Sequence, residues 1–439
     1  MGVMASSDTA PAPLIALGRE AVEAVASTGG MASFRGLALR NEARDAIFKP
    51  LTSYEAAKDA ICAVPLVDER YGPKDAAGDR LTLQLIYQLF PRTSQSGVGE
   101  DMRRLWRRFI AELKVPEWVY RGVANLRNFA IEKGEPDSVR LDEGVSIRGR
   151  SFDELRSLGF SDFTLDALAE DWSEGMGASS YAILVEHRKS KSRENLITGD
   201  ATGITAAQRA ITCLRLASPG SLVMGPMWFT RSGKFDVGIG SGRFRGGWTI
   251  PSTGGSQYLL TRAVAREVRS LQPDVRYLEY NGYERGPGNL DVALQFFLSS
   301  YDRFPARPDS QLVDTITAAE AVLGSGIANT FKLAFRVAGM LGRTDAERLQ
   351  VFDDLRRFYA IRNSVVHGDR LKETQRQMLG RVDDARGYIR RLLVAFVRLA
   401  ASSSPTRYTK QFFKENLDAE LQDEQARRRM LRELGLIRQ

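Results

Sequence analysis

Arg362 and His367 stand five positions apart in the run Asp353-Asp-Leu-Arg-Arg-Phe-Tyr-Ala-Ile-Arg-Asn-Ser-Val-Val-His-Gly368, and Asn363 follows the arginine. No other stretch concentrates as much potential chemistry. Arginine offers a planar, permanently charged fork suited to phosphate oxygens, and histidine is the side chain best placed to carry a proton near neutral pH. Five steps of about 100° set the two on different sides of a regular helix, so they converge only where that helix is ending. Gly368 marks such an end, and the carbonyl dipoles exposed there favour an imidazolium. A C-capping histidine beside a structural arginine fits the same spacing, so the residues alone leave both readings open. The chain has two histidines, His187 and His367, and any imidazole chemistry must use them. His187 follows an apolar run and precedes Arg188, Lys189, Lys191 and Arg193, which reads as an exposed turn.

The helix carrying this motif belongs to a predominantly helical stretch over 256–403, with expected breaks at Gln272–Pro273, Gly286–Asn289, Arg307–Pro308 and Gly324–Gly326. Four helices are expected over Leu290–Arg303, Ser310–Leu323, Ile327–Leu341 and Ala346–Val366, and a fifth, long and amphipathic, over Thr374–Ala400. Thr344 and Glu347 spell a capping box for the fourth. Short connections imply an up-and-down bundle. After Pro405 a charged helical tail is expected over Lys410–Leu434, with Arg427, Arg428 and Arg429 in water.

Upstream, residues 14–135 read as helices: Leu14–Ala26, Tyr54–Val64, Leu81–Phe90 and Glu100–Leu113. In the last, Met102, Leu105, Phe109 and Leu113 form an apolar stripe, while Arg103, Arg104, Arg107 and Arg108 pair at i, i+4. With Trp106 and Phe109 interleaved, these four arginines are a candidate RNA contact, set against the commoner meaning of a solvated basic face over a buried stripe. From about 139 the texture turns to short β-prone runs, Val145–Ile147, Tyr181–Glu186, Ser221–Thr230 and Lys234–Ile239, with helices over Phe152–Leu158 and Ile204–Leu216. The glycines at 238, 240, 242, 246 and 247 fail the dinucleotide fingerprint because Arg243 takes the third glycine position, and no phosphate-binding GxxxxGK[ST] loop occurs. The expected fold class is therefore α+β: an N-terminal helical region (1–138), a small mixed α+β domain (139–255), a helical bundle (256–403) and a charged helical tail (404–439).

Composition bounds the rest. A chain of 439 residues, 43% hydrophobic and 26% charged, has material for globular cores and is not disordered. Its longest apolar stretch, Leu392–Ala401, is interrupted by Arg398, so no membrane span is expected. Met1–Pro13 lacks the basic and apolar regions of a signal peptide. Gly2 and Ser6 match a myristoylation pattern that ordinary residues often meet by chance. Two distant cysteines, Cys62 and Cys213, point to a reducing cytoplasm and to neither disulfide framework nor structural zinc. A formal charge of +8 inclines the surface toward anionic partners.

The run ending at Gly368 resembles the Arg-x4-His signature of the HEPN superfamily. Its surroundings resemble the Apea-like HEPN branch in Asp314, Glu320, Arg336, Tyr359, Arg362, Asn363, His367 and Gly368. The resemblance covers about 290–400, is one of texture over 140–290, and is absent before that. It implies a metal-independent endoribonuclease of prokaryotic anti-phage defence or toxin systems, with Arg362 and His367 as catalytic pair, Asn363 as the polar residue beside them, and no cofactor. It further implies a homodimer whose two motifs build one cleft, and a possible antitoxin or other regulatory partner. The alternative is a non-catalytic HEPN module that binds RNA or a partner protein.

Overall fold

The computed structural model describes residues 9–27, 46–64, 67, 74–89, 97–149, 151–160, 165, 168, 181–190, 193–231, 256–284, 286–302, 307–324, 329–402 and 407–437. The glycines at 238–247 and the strand expected over Lys234–Ile239 lie outside them.

Four helices, α1 (Ala12–Ser27), α2 (Tyr54–Cys62), α3 (Lys74–Leu89) and α4 (Val98–Lys114), pack their apolar stripes together. Leu14, Leu17, Tyr54, Ile61, Leu85, Met102 and Phe109 fill that core, which Trp118 and Tyr120 close. The expectation of helix as far as 135 is corrected here. Pro116 forces Val115 into an extended conformation (φ −69°, ψ 125°) and stops α4. The next eleven residues form strand β1 (Glu117–Arg127), with Trp118 and Tyr120 both facing inward at strand spacing.

β1 is the hub of a five-stranded antiparallel sheet. The other strands are β3 (Ser138–Asp142), β4 (Val145–Gly149), β5 (Tyr181–Ser190) and β6 (Val223–Arg231), in the order β3-β4-β5-β1-β6. The expected division at 138/139 therefore falls inside the sheet. A short parallel ribbon pairs β2 (Phe129–Ile131) with β7 (Tyr258–Leu260), and helix α5 (Phe152–Ser157) follows β4. His187 is not in an exposed turn: it lies within β5, opposite Tyr120, with its ring stacked on the tyrosine at 5.2 Å. Helices α6 (Arg193–Ala217) and α7 (Arg262–Asn281) share one continuous apolar core with the sheet and the bundle. The expected break at Pro273 does not occur. Pro273 sits inside α7, and burial of Ala265, Val268, Leu271, Val275 and Leu278 outweighs the cost of about 3 kcal/mol for an interior proline.

The bundle proper comprises α8 (Leu290–Asp302), α9 (Pro308–Leu323), α10 (Asn329–Leu341), α11 (Asp345–Val366) and α13 (Val382–Ala401). Pro308 begins α9, where its missing N–H costs nothing. The single helix expected over Thr374–Ala400 is divided into α12 (Glu373–Leu379) and α13 at Gly380 and Arg381. Arg381 turns back there to grip Asp354 of α11 with two hydrogen bonds, at 3.0 and 2.8 Å. The tail is also corrected. It forms three short helices, α14 (Lys410–Glu415), α15 (Leu417–Gln422) and α16 (Glu424–Glu433). Arg427 is buried and donates to the carbonyls of Gly339 and Gly342 at the end of α10, while Arg428 and Arg429 are exposed. Arg336 on α10, fully buried, forks onto Asp418 of α15 at 2.6 and 2.9 Å and donates to the Leu323 carbonyl. No helix among the described residues is long and apolar enough to cross a membrane.

Asp354 is completely enclosed and accepts from Arg381, Gln350 and Tyr388. Burial works to raise its carboxyl, but the hydrogen bonds outweigh burial and hold it below the usual carboxylate range. Burial, reinforced by the bond to Asp354, pushes the Tyr388 hydroxyl up to about 12. A carboxyl lowered in the folded state stabilises above its unfolded pKa, and that stabilisation is lost as pH falls through the lower folded value. Asp354→Asn should thus cost about 2 kcal/mol at neutral pH and much less in acid, which urea unfolding at several pH values will measure. Equal losses at all pH values would contradict this account.

Candidate functional site

Helix α11 is fixed at both ends by its own sequence. At its start Thr344 accepts from the Glu347 amide at 3.1 Å. Glu347 reaches back to the Arg343 amide at 2.7 Å, one residue before the cap, so the expected box is present in a displaced form. At its end the Gly368 amide donates to Val365 and the Asp369 amide to Ser364, with Gly368 at φ +76°. That is a Schellman turn, which satisfies the last carbonyls without a side chain. The expected helix end at Gly368 is where the backbone turns, and His367 is the C-cap residue, exposed to solvent.

Arg362 is directed elsewhere. Its Nη2 donates to Glu320 Oε2 on α9 at 2.7 Å, and its Nη1 to Asn363 Oδ1 at 3.1 Å. Tyr359, one turn earlier, donates its hydroxyl to the other Glu320 oxygen at 2.6 Å, and its ring lies 5.6 Å from the guanidinium carbon. The structure brings Arg362 together with Glu320, Tyr359 and Asn363. Among the described residues, no hydrogen bond or ion pair joins Arg362 to His367. Within one chain the two motif residues therefore present neighbouring chemistries, a held cation and a free-standing imidazole, and not a formed couple. Of the other residues that carried the resemblance, Asp314 is buried in α9, and Arg336 serves Asp418 and Leu323 within the bundle.

Spacing exposed Arg362, Asn363 and His367 but not the pairing with Glu320, which lies 42 residues away on another helix. The local hint was Tyr359 three positions before Arg362, one turn along the same face. Among the described residues no group of three or more His, Cys, Asp or Glu side chains is arranged to hold a metal ion. No family model matches the chain, and no curated protein or solved structure is similar to it.

The second candidate surface is the outer face of α4. Arg103, Arg104, Arg107 and Arg108 are exposed there. Trp106 and Phe109 are buried in the N-terminal core, so no aromatic interleaves with the arginines on the surface. Glu100 pairs with Arg103 and Arg107, and Asp101 pairs with Arg104, so four positive charges face two negative ones. If this face meets RNA phosphates, neutralising all four arginines flattens the salt dependence of single-strand binding by at most about 2.8, and by less where Glu100 and Asp101 already hold them. Fluorescence titrations over a salt series will measure it; an unchanged slope assigns the face to water.

Proposed function

We propose that the chain is a metal-independent RNA endonuclease of the HEPN type, acting in the cytoplasm in anti-phage defence or as a toxin. The observation that carries this reading is the end of α11, where an exposed imidazole sits at a helix C-terminus five residues beyond a guanidinium held in one orientation. In the proposed reaction a ribose 2′-hydroxyl attacks the adjacent phosphorus. The bond to the 5′-oxygen breaks, leaving a 2′,3′-cyclic phosphate, while the 2′-proton is removed and the departing 5′-oxygen gains one. His367 is the proton carrier, Arg362 stabilises charge gathering on the phosphoryl oxygens, and Asn363 steadies Arg362.

Internal transesterification is best served by two proton carriers, and each chain brings one at this site. A homodimer through the bundle supplies the second. Exposed groups on α11 support that assembly: Leu349 near its start and Val366 near its end are more than half exposed, and His367 is exposed at its C-cap. Phe331 of α10, 59% exposed, packs edge-on against Phe352 of α11. Exposed large apolar groups on the helix that carries a candidate site are what a subunit interface uses. The pairing of Arg362 with Glu320 favours one alternative, a non-catalytic module in which this arginine only ties α9 to α11 and the exposed face binds RNA or a protein such as an antitoxin.

RNA cleavage by the purified protein in EDTA separates these readings. The nuclease reading expects products ending in 2′,3′-cyclic phosphate or 3′-phosphate, no cleavage of DNA, and loss of at least a hundredfold in rate on His367→Ala or Arg362→Ala with the thermal melt retained. Undiminished cleavage by His367→Ala refutes it. Sedimentation should report a dimer, which Phe331→Asp combined with Leu349→Asp should convert to an inactive monomer. A monomer that cleaves at full rate would rule out the shared cleft.

A further inference from the structure

Glu320, Tyr359 and Arg362 form a closed triangle. The carboxylate accepts a hydrogen bond from the phenol on one oxygen and from the guanidinium on the other, and the guanidinium lies against the phenol ring. Each member is fixed by the other two. The Glu320 and Arg362 side chains are 18% and 22% exposed, so the ion pair is withdrawn from bulk water without being sealed from it. Arginine has five N–H donors. Glu320 occupies one on Nη2 and Asn363 one on Nη1, while Nε is buried without a hydrogen-bond partner. One N–H on each terminal nitrogen is left over. The arrangement that orients the fork also gives it an anion before any ligand arrives. A phosphodiester carries the same single negative charge as a carboxylate, so it meets a cation that is already neutralised.

We propose that Glu320 is a positioning residue for Arg362 and its resident anion: it aims the fork, and an RNA phosphodiester binds there only by sharing or displacing the carboxylate. The inference rests on the reading of Arg362 as a phosphate-binding residue. Its consequence is that the charge on Glu320 costs RNA affinity, whereas a carboxylate serving only to tie α9 to α11 would leave affinity and its salt dependence unmoved.

The test uses the full chain and a short single-stranded oligouridylate with 2′-O-methyl groups, which keeps the phosphates but cannot be cleaved through the 2′-oxygen. Glu320→Gln should bind roughly three- to tenfold more tightly than the parent at ~0.1 M salt, with a salt slope steeper by about 0.7, the increment for one further phosphate on a single strand. Glu320→Asp, which keeps the charge, should stay near the parent. Arg362→Ala added to Glu320→Gln should erase the gain. Should Glu320→Gln fail to fold, Tyr359→Phe removes only the hydroxyl that holds the second carboxylate oxygen and should give a smaller gain of the same sign. Parental affinity and slope in the folded variant, or a gain that survives loss of Arg362, overturns the proposal. Cleavage of ordinary RNA by the parent is scored separately: its absence refutes the nuclease reading and leaves this binding comparison decisive.

Discussion

A guanidinium taken out of water must find acceptors for its donors, and in this chain helix ends supply them. Arg215 of α6 donates to the Leu298 carbonyl and to Asp302, and Arg386 of α13 to the Ser300 carbonyl, all in the last turns of α8. Arg336 takes the Leu323 carbonyl that closes α9, and Arg427 takes the Gly339 and Gly342 carbonyls that close α10. All four arginines are nearly or fully buried. Each positive fork meets the negative end of a helix dipole and satisfies carbonyls that would otherwise be orphaned in an apolar interior. Carboxylates of Asp302, Asp383, Asp418 and Glu424 complete their coordination. The C-terminal helices are thus locked together by charge placed at their ends as much as by the apolar stripes along their sides.

Helix α11 departs from this pattern. Its last carbonyls are served by the glycine turn, and no buried arginine covers them among the described residues. The end of the helix is left in solvent with His367 upon it, while its middle is tied down by Asp354 to Arg381 and Tyr388, and by Arg362 and Tyr359 to Glu320. A rigid shaft with an open tip is a sound mount for a group that must meet something outside the chain. Each of the four buried arginines is matched by a carboxylate, so these pairs are neutral and the excess of +8 is carried by the rest of the chain.

What the sequence revealed follows from how local each signal is. The limits of α8, α9 and α11 were legible because Pro308, Thr344 and Gly368 act within a turn of where they stand. Where a distant contact overrode a local preference, the expectation failed. Pro273 is carried through α7 by a buried stripe, Gly380 becomes a break because Arg381 must reach Asp354, and Arg427 is drawn inward by carbonyls 85 and 88 residues away. β1 gives no local sign of its pairing because its partners, β5 and β6, come far later in the chain. The candidate site divides the same way: Arg362 and His367 share one helix and could be found by spacing, but the carboxylate that holds Arg362 belongs to another helix and had no periodicity to announce it.

The span from Arg336 to Asp418 also imposes an order in time. The two residues are 82 apart, so at a synthesis rate of about 5–20 residues per second the guanidinium waits roughly 4–16 s for its carboxylate to be made. The carbonyls at the end of α10 wait longer still for Arg427. A nascent chain that has completed the motif helix therefore still lacks the groups that close its neighbours. The bundle cannot seal before the last helices leave the ribosome, and until then its unserved donors and carbonyls must stay in water or in the hands of a chaperone.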